Sequence, residues 1–202
     1  MTHSLPDLLR LNRILVKERL GFFRLADCYD LFDPDSGRSV GVCQEAPPWY
    51  SHLLRLVLSK VVLPTVVEVR PDGLQQPLFR IRRGFRLFRA VVQIEDGIGR
   101  PIGSLRSKLL RLRLEFSVFD NSKREIAKVT GDWKGWNFQL TATSGEILGT
   151  ITKKWAGIGK ELFTSADNYI VELSEARSDD DKVRTMLLAA ALAIDICYKE
   201  KG

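Results

Sequence analysis

The strongest constraint on this chain is its last long run, Asp181 to Lys199, in which Met186 to Ile194 is nine apolar residues without a break. Three acids, Asp179 to Asp181, precede the run, and Lys199 and Lys201 follow it, so the charges suit the two ends of a helix dipole. A helix that is apolar on every side must be enclosed, by a bilayer or by protein. A spanning helix needs about 20 largely apolar residues. Val183 to Tyr198 supplies sixteen, with Arg184, Thr185 and Asp195 among them. On an insertion scale Leu and Ile gain roughly 0.3 to 0.6 kcal/mol each, whereas one central Asp costs about 2.5 to 3.5 kcal/mol. Asp195 therefore offsets most of what the leucines and isoleucines gain, and residues 179–199 read as a central helix buried in protein.

What encloses it is written in a repeat. Asp72, Asp96, Asp120 and Ser144 stand 24 residues apart, followed by Gly73, Gly97, Asn121 and Gly145. Each pair is turn chemistry that tolerates positive φ, and each lies between two short alternating runs, such as Val66–Val69 with Leu78–Ile81 and Phe116–Phe119 with Ile126–Val129. Four consecutive hairpins follow. Upstream, Tyr29 to Val42 reads as two more strands around a turn at Pro34 to Gly37. Residues 8–18 fit neither a helix nor a strand period cleanly. A solenoid with this period would leave the last helix uncovered, whereas a sheet closed on itself removes its edges and creates an interior. The expected fold is mainly β, a closed antiparallel barrel around a hydrophobic C-terminal helix. The dimensions match, since a helix of about nineteen residues is near 28 Å long and strands of eight or nine residues are of similar height. At 202 residues the chain forms a single domain, 1–202. Pro47 to Pro64 is the one segment outside the strand pattern, an amphipathic insertion bounded by prolines.

Charge is regional. Residues 71 to 124 hold twelve Lys or Arg against five Asp or Glu, while the whole chain carries +6. Phe79–Arg89 and Leu110–Glu115 alternate cation with apolar residue, so a strand conformation sets Arg80 and Arg82, or Arg111 and Arg113, on one face. Rows of guanidinium groups suit phosphate recognition, which makes Arg80, Arg82, Arg83, Arg86, Arg111 and Arg113 the candidate phosphate-contacting residues, read as lipid-headgroup contacts only through the family resemblance given below. An ordinary solvated barrel exterior, or a surface for an acidic protein partner, accounts for the same pattern. Trp49, Tyr50, Leu53 and Leu56 are candidate membrane contacts, with a lid over one mouth of the barrel as the competing reading. Trp133 and Trp136, with Trp155 and Phe138, could suggest base stacking, but Trp133 and Trp136 fit a cap on the turn between two strands better, so nucleic acid is not the expected partner.

Other chemistries lack their residues. Cys28, Cys43 and Cys197 make neither a disulfide framework nor a zinc spacing, and a reducing, cytoplasmic setting with peripheral membrane association is expected. His3 and His52 are the only histidines, no nucleophile motif accompanies them, and Gly157 to Lys160 is too short for a phosphate loop. No cofactor and no catalytic residue are expected.

Ile151-Thr-Lys-Lys-Trp-Ala-Gly, Glu161-Leu-Phe-Thr-Ser-Ala-Asp-Asn-Tyr and Leu187-Leu-Ala-Ala-Ala-Leu-Ala-Ile-Asp-Ile resemble the closing third of phospholipid scramblase-like proteins and their plant LURP-one-related relatives, and Ile14–Glu18 and Tyr29–Asp33 are similar too. The resemblance implies the tubby C-terminal fold, twelve strands around a hydrophobic helix, and a non-catalytic module at anionic phospholipid or phosphoinositide surfaces. Transbilayer lipid scrambling and a purely protein-binding role are the alternatives. It also implies a calcium loop starting at Ser165, but of its ligand positions only Asp167 is suited, and Tyr169–Leu173 reads as the final strand. The cysteine cluster and proline-rich leader of many animal scramblases have no counterpart in these residues.

Overall fold

A computed structural model describes residues 6–19, 28–46, 63–84, 91–109, 114–132, 135–153 and 168–198. Its twelve strands are β1 (Arg13–Glu18), β2 (Cys28–Phe32), β3 (Ser39–Glu45), β4 (Thr65–Pro71), β5 (Phe79–Arg83), β6 (Val91–Asp96), β7 (Pro101–Leu109), β8 (Leu114–Asp120), β9 (Glu125–Asp132), β10 (Asn137–Ala142), β11 (Ile147–Thr152) and β12 (Tyr169–Leu173). Every strand pairs antiparallel with its neighbour in sequence, and β1 with β12 closes the barrel. The helix α1 (Asp181–Tyr198) runs through it. The ambiguous first segment is a single 3-10 turn, Asp7–Leu9, followed by β1.

Alternation explains the strands. In β4 and β5 every second residue is buried, with Val67, Val69, Phe79 and Ile81 inside and Glu68, Arg80 and Arg82 outside. The helix obeys no such alternation, and every residue from Met186 to Cys197 is buried. Burying Leu187, Leu188, Leu192, Ile194 and Ile196 gains roughly 1.5 to 3 kcal/mol apiece as a gross upper figure. The wall comes close because glycines face the helix. A Cβ on Gly149 would lie 2.4 Å from Leu187 Cδ2, and one on Gly103 would lie 2.4 Å from Met186 Cε. Asp180 Oδ1 accepts the Val183 N–H at 3.0 Å and so caps the first turn.

The repeated turns close differently from the sequence expectation. Positive φ falls on Gly73 and Gly145 as anticipated, but in the β6–β7 and β8–β9 turns it falls on Gly99 and Lys123, not on Gly97 and Asn121. Gly97 is needed for another reason: a Cβ there would lie 2.1 Å from the Pro77 carbonyl oxygen of the adjacent turn. Asp96 and Asp120 act as clamps. Asp96 Oδ1 accepts the Arg100 backbone N–H at 2.8 Å, and Asp120 Oδ1 accepts that of Arg124 at 2.9 Å, while each arginine side chain returns to the same carboxylate. Side-chain hydrogen bonding from Arg100 holds the Asp96 carboxyl below its usual range, and the Arg124 backbone N–H does so at Asp120. The register shifts by one residue beside these turns, at Ile94/Glu95 and Val118/Phe119, bulges that help the sheet curve.

Two outcomes follow from this packing. In urea unfolding Leu192→Ala lowers stability by about 2 to 5 kcal/mol and Gly149→Val by about 1 to 3 kcal/mol; wild-type midpoints for both would contradict the enclosed helix. Asp33, Glu68, Asp96, Asp120 and Glu146 all have folded pKa values below their unfolded ones. Their stabilisation is therefore complete above the ordinary carboxylate range of about 4 and is lost as pH falls through the folded values. Thermal midpoints measured from pH 6 to pH 2 should decline below about pH 4, and Asp96→Asn with Asp120→Asn should flatten that decline.

Candidate functional site

The connections between the strands fall into two sets of opposite charge as sequence. Short turns connect β2–β3, β4–β5, β6–β7, β8–β9 and β10–β11 at the end where α1 begins. At the other mouth, where α1 ends, the flanking strands lead into residues 20–27, 47–62, 85–90, 110–113, 133–134 and 154–167, all outside the described residues, as are 199–202. As sequence, these seven segments hold twelve Lys or Arg against four Asp or Glu, a net of +8 when the whole chain has +6. They also hold nine of the eighteen aromatic residues. The remaining residues are thus net acidic.

Of the six candidate headgroup arginines, three belong to described strands. Arg80 and Arg82 share the outer face of β5, as the alternation requires, but neither stands alone. Arg80 Nε donates to Glu68 Oε1 at 2.9 Å and its Nη1 to the Gly97 carbonyl at 3.1 Å, and Arg70 also reaches Glu68. Partial burial pushes the Glu68 carboxyl up, yet the hydrogen bonds from Arg80 and Arg70 outweigh it and the carboxyl stays below its usual range. Arg82 pairs with Glu95 at 3.2 Å and is half exposed. Much of the charge on this wall is therefore matched in place.

Arg83 corrects the sequence reading. It stands one residue on from Arg82, so its side chain points inward, and it is 1% exposed. There Nη1 donates to the Ile196 carbonyl at 2.7 Å, and Nη2 donates to the Leu63 carbonyl at 3.3 Å and to Thr65 Oγ1 at 3.2 Å. It belongs to the hold on the last turn of α1 and is closed to a headgroup outside. Arg184 does the corresponding work at the first turn, donating to the Leu11 carbonyl at 2.9 Å and to the Ser178 carbonyl. Strand parity alone would have separated Arg83 from Arg80 and Arg82; no local signal marks the carbonyl it meets, which lies 113 residues away.

Arg86, Arg111 and Arg113, like Trp49, Tyr50, Leu53 and Leu56, lie outside the described residues. Arg86 belongs to the segment between β5 and β6, Arg111 and Arg113 to that between β7 and β8, and the four apolar and aromatic candidates to that between β3 and β4. The strands that flank these segments all end at the mouth where α1 ends.

Beneath that mouth the barrel interior turns polar. Asp195, Arg83, Thr65, Glu45 and Asn168 are buried, as are Tyr29 and Tyr169. Burial pushes the Tyr169 phenol well above its ordinary pKa, with the Asp195 charge adding to it. Trp136, with φ of 45°, is buried edge-on to Phe138 and beside Tyr169, both at 5.7 Å, and Lys153 sits over its ring at 4.6 Å. It packs the end of the barrel, as its turn position suggested; Trp133 and Trp155 lie outside the described residues. The calcium-loop positions Tyr169 and Val171 are buried in β12, paired with β1 and β11, where they cannot ligand an ion. No group of three metal-ligating side chains converges among the described residues.

The family model for Scramblase matches residues 8–201. Human phospholipid scramblase 2 is 25% identical over 117 residues, covering 54% of this chain and 39% of that protein. Mouse phospholipid scramblase 1 is 26% identical over 117 residues, covering 54% of this chain and 35% of that protein. Altered inheritance rate of mitochondria protein 25 of Saccharomyces cerevisiae is 27% identical over 99 residues, 42% of this chain and 29% of that protein. The matches thus span less than half the length of these relatives. No solved structure matches the chain.

The contrast between the inward and outward arginines is measurable. Arg83→Met leaves buried carbonyls without their donor and lowers stability by about 2 to 4 kcal/mol. Arg82→Gln, on the half-exposed wall, changes it by less than about 0.5 kcal/mol. Equal effects in chemical denaturation would mean that Arg83 does not hold the helix end.

Proposed function

The chain belongs to the Scramblase family, and from that premise we propose that it is a non-catalytic, peripheral membrane-binding module that recognises anionic phospholipid headgroups through the basic mouth where α1 ends. The observation that carries this reading is the segregation of charge. The segments that link the strands on this side carry +8 as sequence, together with half of the chain's aromatic residues, while Arg80 on the wall is bound to Glu68. Lys and Arg contribute about 1 kcal/mol each beside an anionic bilayer, and Trp and Tyr favour the headgroup layer. Arg86, Arg111 and Arg113 serve as the principal headgroup contacts, with Arg82 beside them, and Trp49, Tyr50, Leu53 and Leu56 as the apolar contact. Phosphoinositides, with several phosphates in one headgroup, suit such a cluster of guanidinium groups. The setting is the cytoplasmic face, where anionic lipid is concentrated.

The names of the relatives favour a second reading, transbilayer movement of phospholipid. Among the described residues no helix is long and apolar enough to cross a membrane, and α1 is enclosed by the barrel. Scrambling by insertion of α1 would bring the buried Arg184 and Asp195 into hydrocarbon.

Liposome flotation separates the readings. The protein should float with vesicles containing phosphatidylserine or phosphoinositide and not with phosphatidylcholine alone, and 0.5 M salt should weaken binding. Replacing Arg86, Arg111 and Arg113 together by Gln should lower affinity by about 3 kcal/mol, or roughly 100-fold. Salt-independent binding to neutral vesicles, or unchanged binding of the triple variant, would overturn the assignment. Loss of outer-leaflet asymmetry in reconstituted vesicles would establish scrambling instead.

A further inference from the structure

A second feature, independent of the basic mouth, lies where α1 enters the barrel. A cleft of about 200 Å³ remains there between the first turns of α1 and strands β8 to β11. Its lining is aliphatic apart from one thioether, from Val118, Leu140, Ala142, Leu148, Val183 and Met186. Its charged side chains are Arg177, Asp180 and Lys182.

Those charges are engaged elsewhere. Arg177 donates to both carboxylate oxygens of Glu146, at 2.9 and 2.5 Å, and lies 3.8 Å from Asp180. Asp180 in turn accepts the Val183 N–H at 3.0 Å, the bond that caps α1. Drawing either group toward a charged ligand would loosen the start of the helix. Lys182 is exposed, and an ion pair at such a site gains little against hydration. What lacks partners is the aliphatic wall, whose atoms have no dispersion contacts on the cleft side. An uncharged ligand restores those contacts, whereas a charged one must shed water with nothing to replace it. An aliphatic cavity of about 150 Å³ holds benzene, so this volume takes a single ring with short branches and excludes fused rings. An extended peptide lacks its usual purchase here, because β8, β9, β10 and β11 are each paired on both sides and offer no free strand edge.

We propose that this cleft binds a compact, uncharged hydrophobic molecule of single-ring size, seated between α1 and strands β8 to β11, and that its occupancy braces the first turns of the helix.

The chain has two methionines, Met1 and Met186, and Met186 lines the cleft. Protein carrying ¹³C-methyl methionine therefore shows one probe at the site and one control. Titration with p-cymene should move the Met186 methyl resonance saturably, leave Met1 in place, and raise the thermal midpoint as the site fills. Its isostere 4-isopropylbenzoate, with a carboxylate in place of the ring methyl, should bind at least about tenfold more weakly. Lys182→Gln should leave the p-cymene response unaltered, since charge takes no part in it. Ala142→Phe fills the cleft and should abolish the response, and the smaller Ala142→Leu, which narrows it, should weaken the response severalfold even where the Phe variant fails to fold. An unmoved Met186, equal or tighter binding of the benzoate, a weakened response in Lys182→Gln, an unaltered one in Ala142→Leu, or tighter binding of lauroyl-lysophosphatidylcholine would each overturn the proposal.

Discussion

Enclosing one apolar helix is the requirement from which the rest of the structure follows. Residues 186–197 are buried all round, so the element that surrounds them must be continuous in every direction perpendicular to the helix. An open sheet covers one face of a helix and leaves two edges, whereas the twelve-stranded barrel covers all faces and leaves none. Strand and helix sequences are matched to each other for the same reason. The wall places Gly103 against Met186 and Gly149 against Leu187, and the helix places four alanines, 189, 190, 191 and 193, in its middle turns. Bulk on either side at these positions would separate the two surfaces that the apolar free energy holds together.

A buried helix presents two polar ends, and each is met by an arginine. Arg184 reaches from α1 outward to the Leu11 and Ser178 carbonyls, and Arg83 reaches from the wall inward to the Ile196 carbonyl. At the C-terminal end Arg83 donates to a carbonyl that the last turn leaves without an intrahelical partner, whereas Arg184, at the end whose free groups are N–H donors, ties the helix to carbonyls of the neighbouring segments. These contacts do more than satisfy polar groups. Moving α1 along or out of the barrel breaks both sets at once and leaves charge in an apolar interior, so the helix is held in one register.

The fold was legible from residue patterns because they are local. Twenty-four-residue spacing of Asp and Gly marked the hairpins, period-2 alternation marked their inner faces, and the unbroken run after Thr185 marked the helix. Details that depend on distant residues were not. Gly97 is explained only by Pro77 on a neighbouring hairpin, and positive φ moved to Gly99 and Lys123 because Asp96 and Asp120 clamp the backbone four residues on. At the candidate site the row of arginines was visible, but not the acids across the sheet. Register pairs Arg80 with Glu68 directly, twelve residues away, and no composition count distinguishes that matched charge from a free one. The cleft beside Met186 left no sequence signal either, since its lining comes from β8 to β11 and α1, each unremarkable alone.

Charge and helix orientation reinforce one another along the barrel axis. α1 begins among Asp179, Asp180 and Asp181, where acid suits the positive pole of the helix dipole, and the sequence that links the strands beyond its other end holds a net +8. The acid stabilises the helix start, and the connectivity assigns acid-rich turns and base-rich linking sequence to opposite ends of the strands. Near an anionic surface such a molecule is turned as well as attracted, because the basic mouth lowers its energy on approach while the acidic turns raise theirs. Orientation of this kind reaches about a Debye length, near 8 Å at physiological salt, and acts before any headgroup is touched.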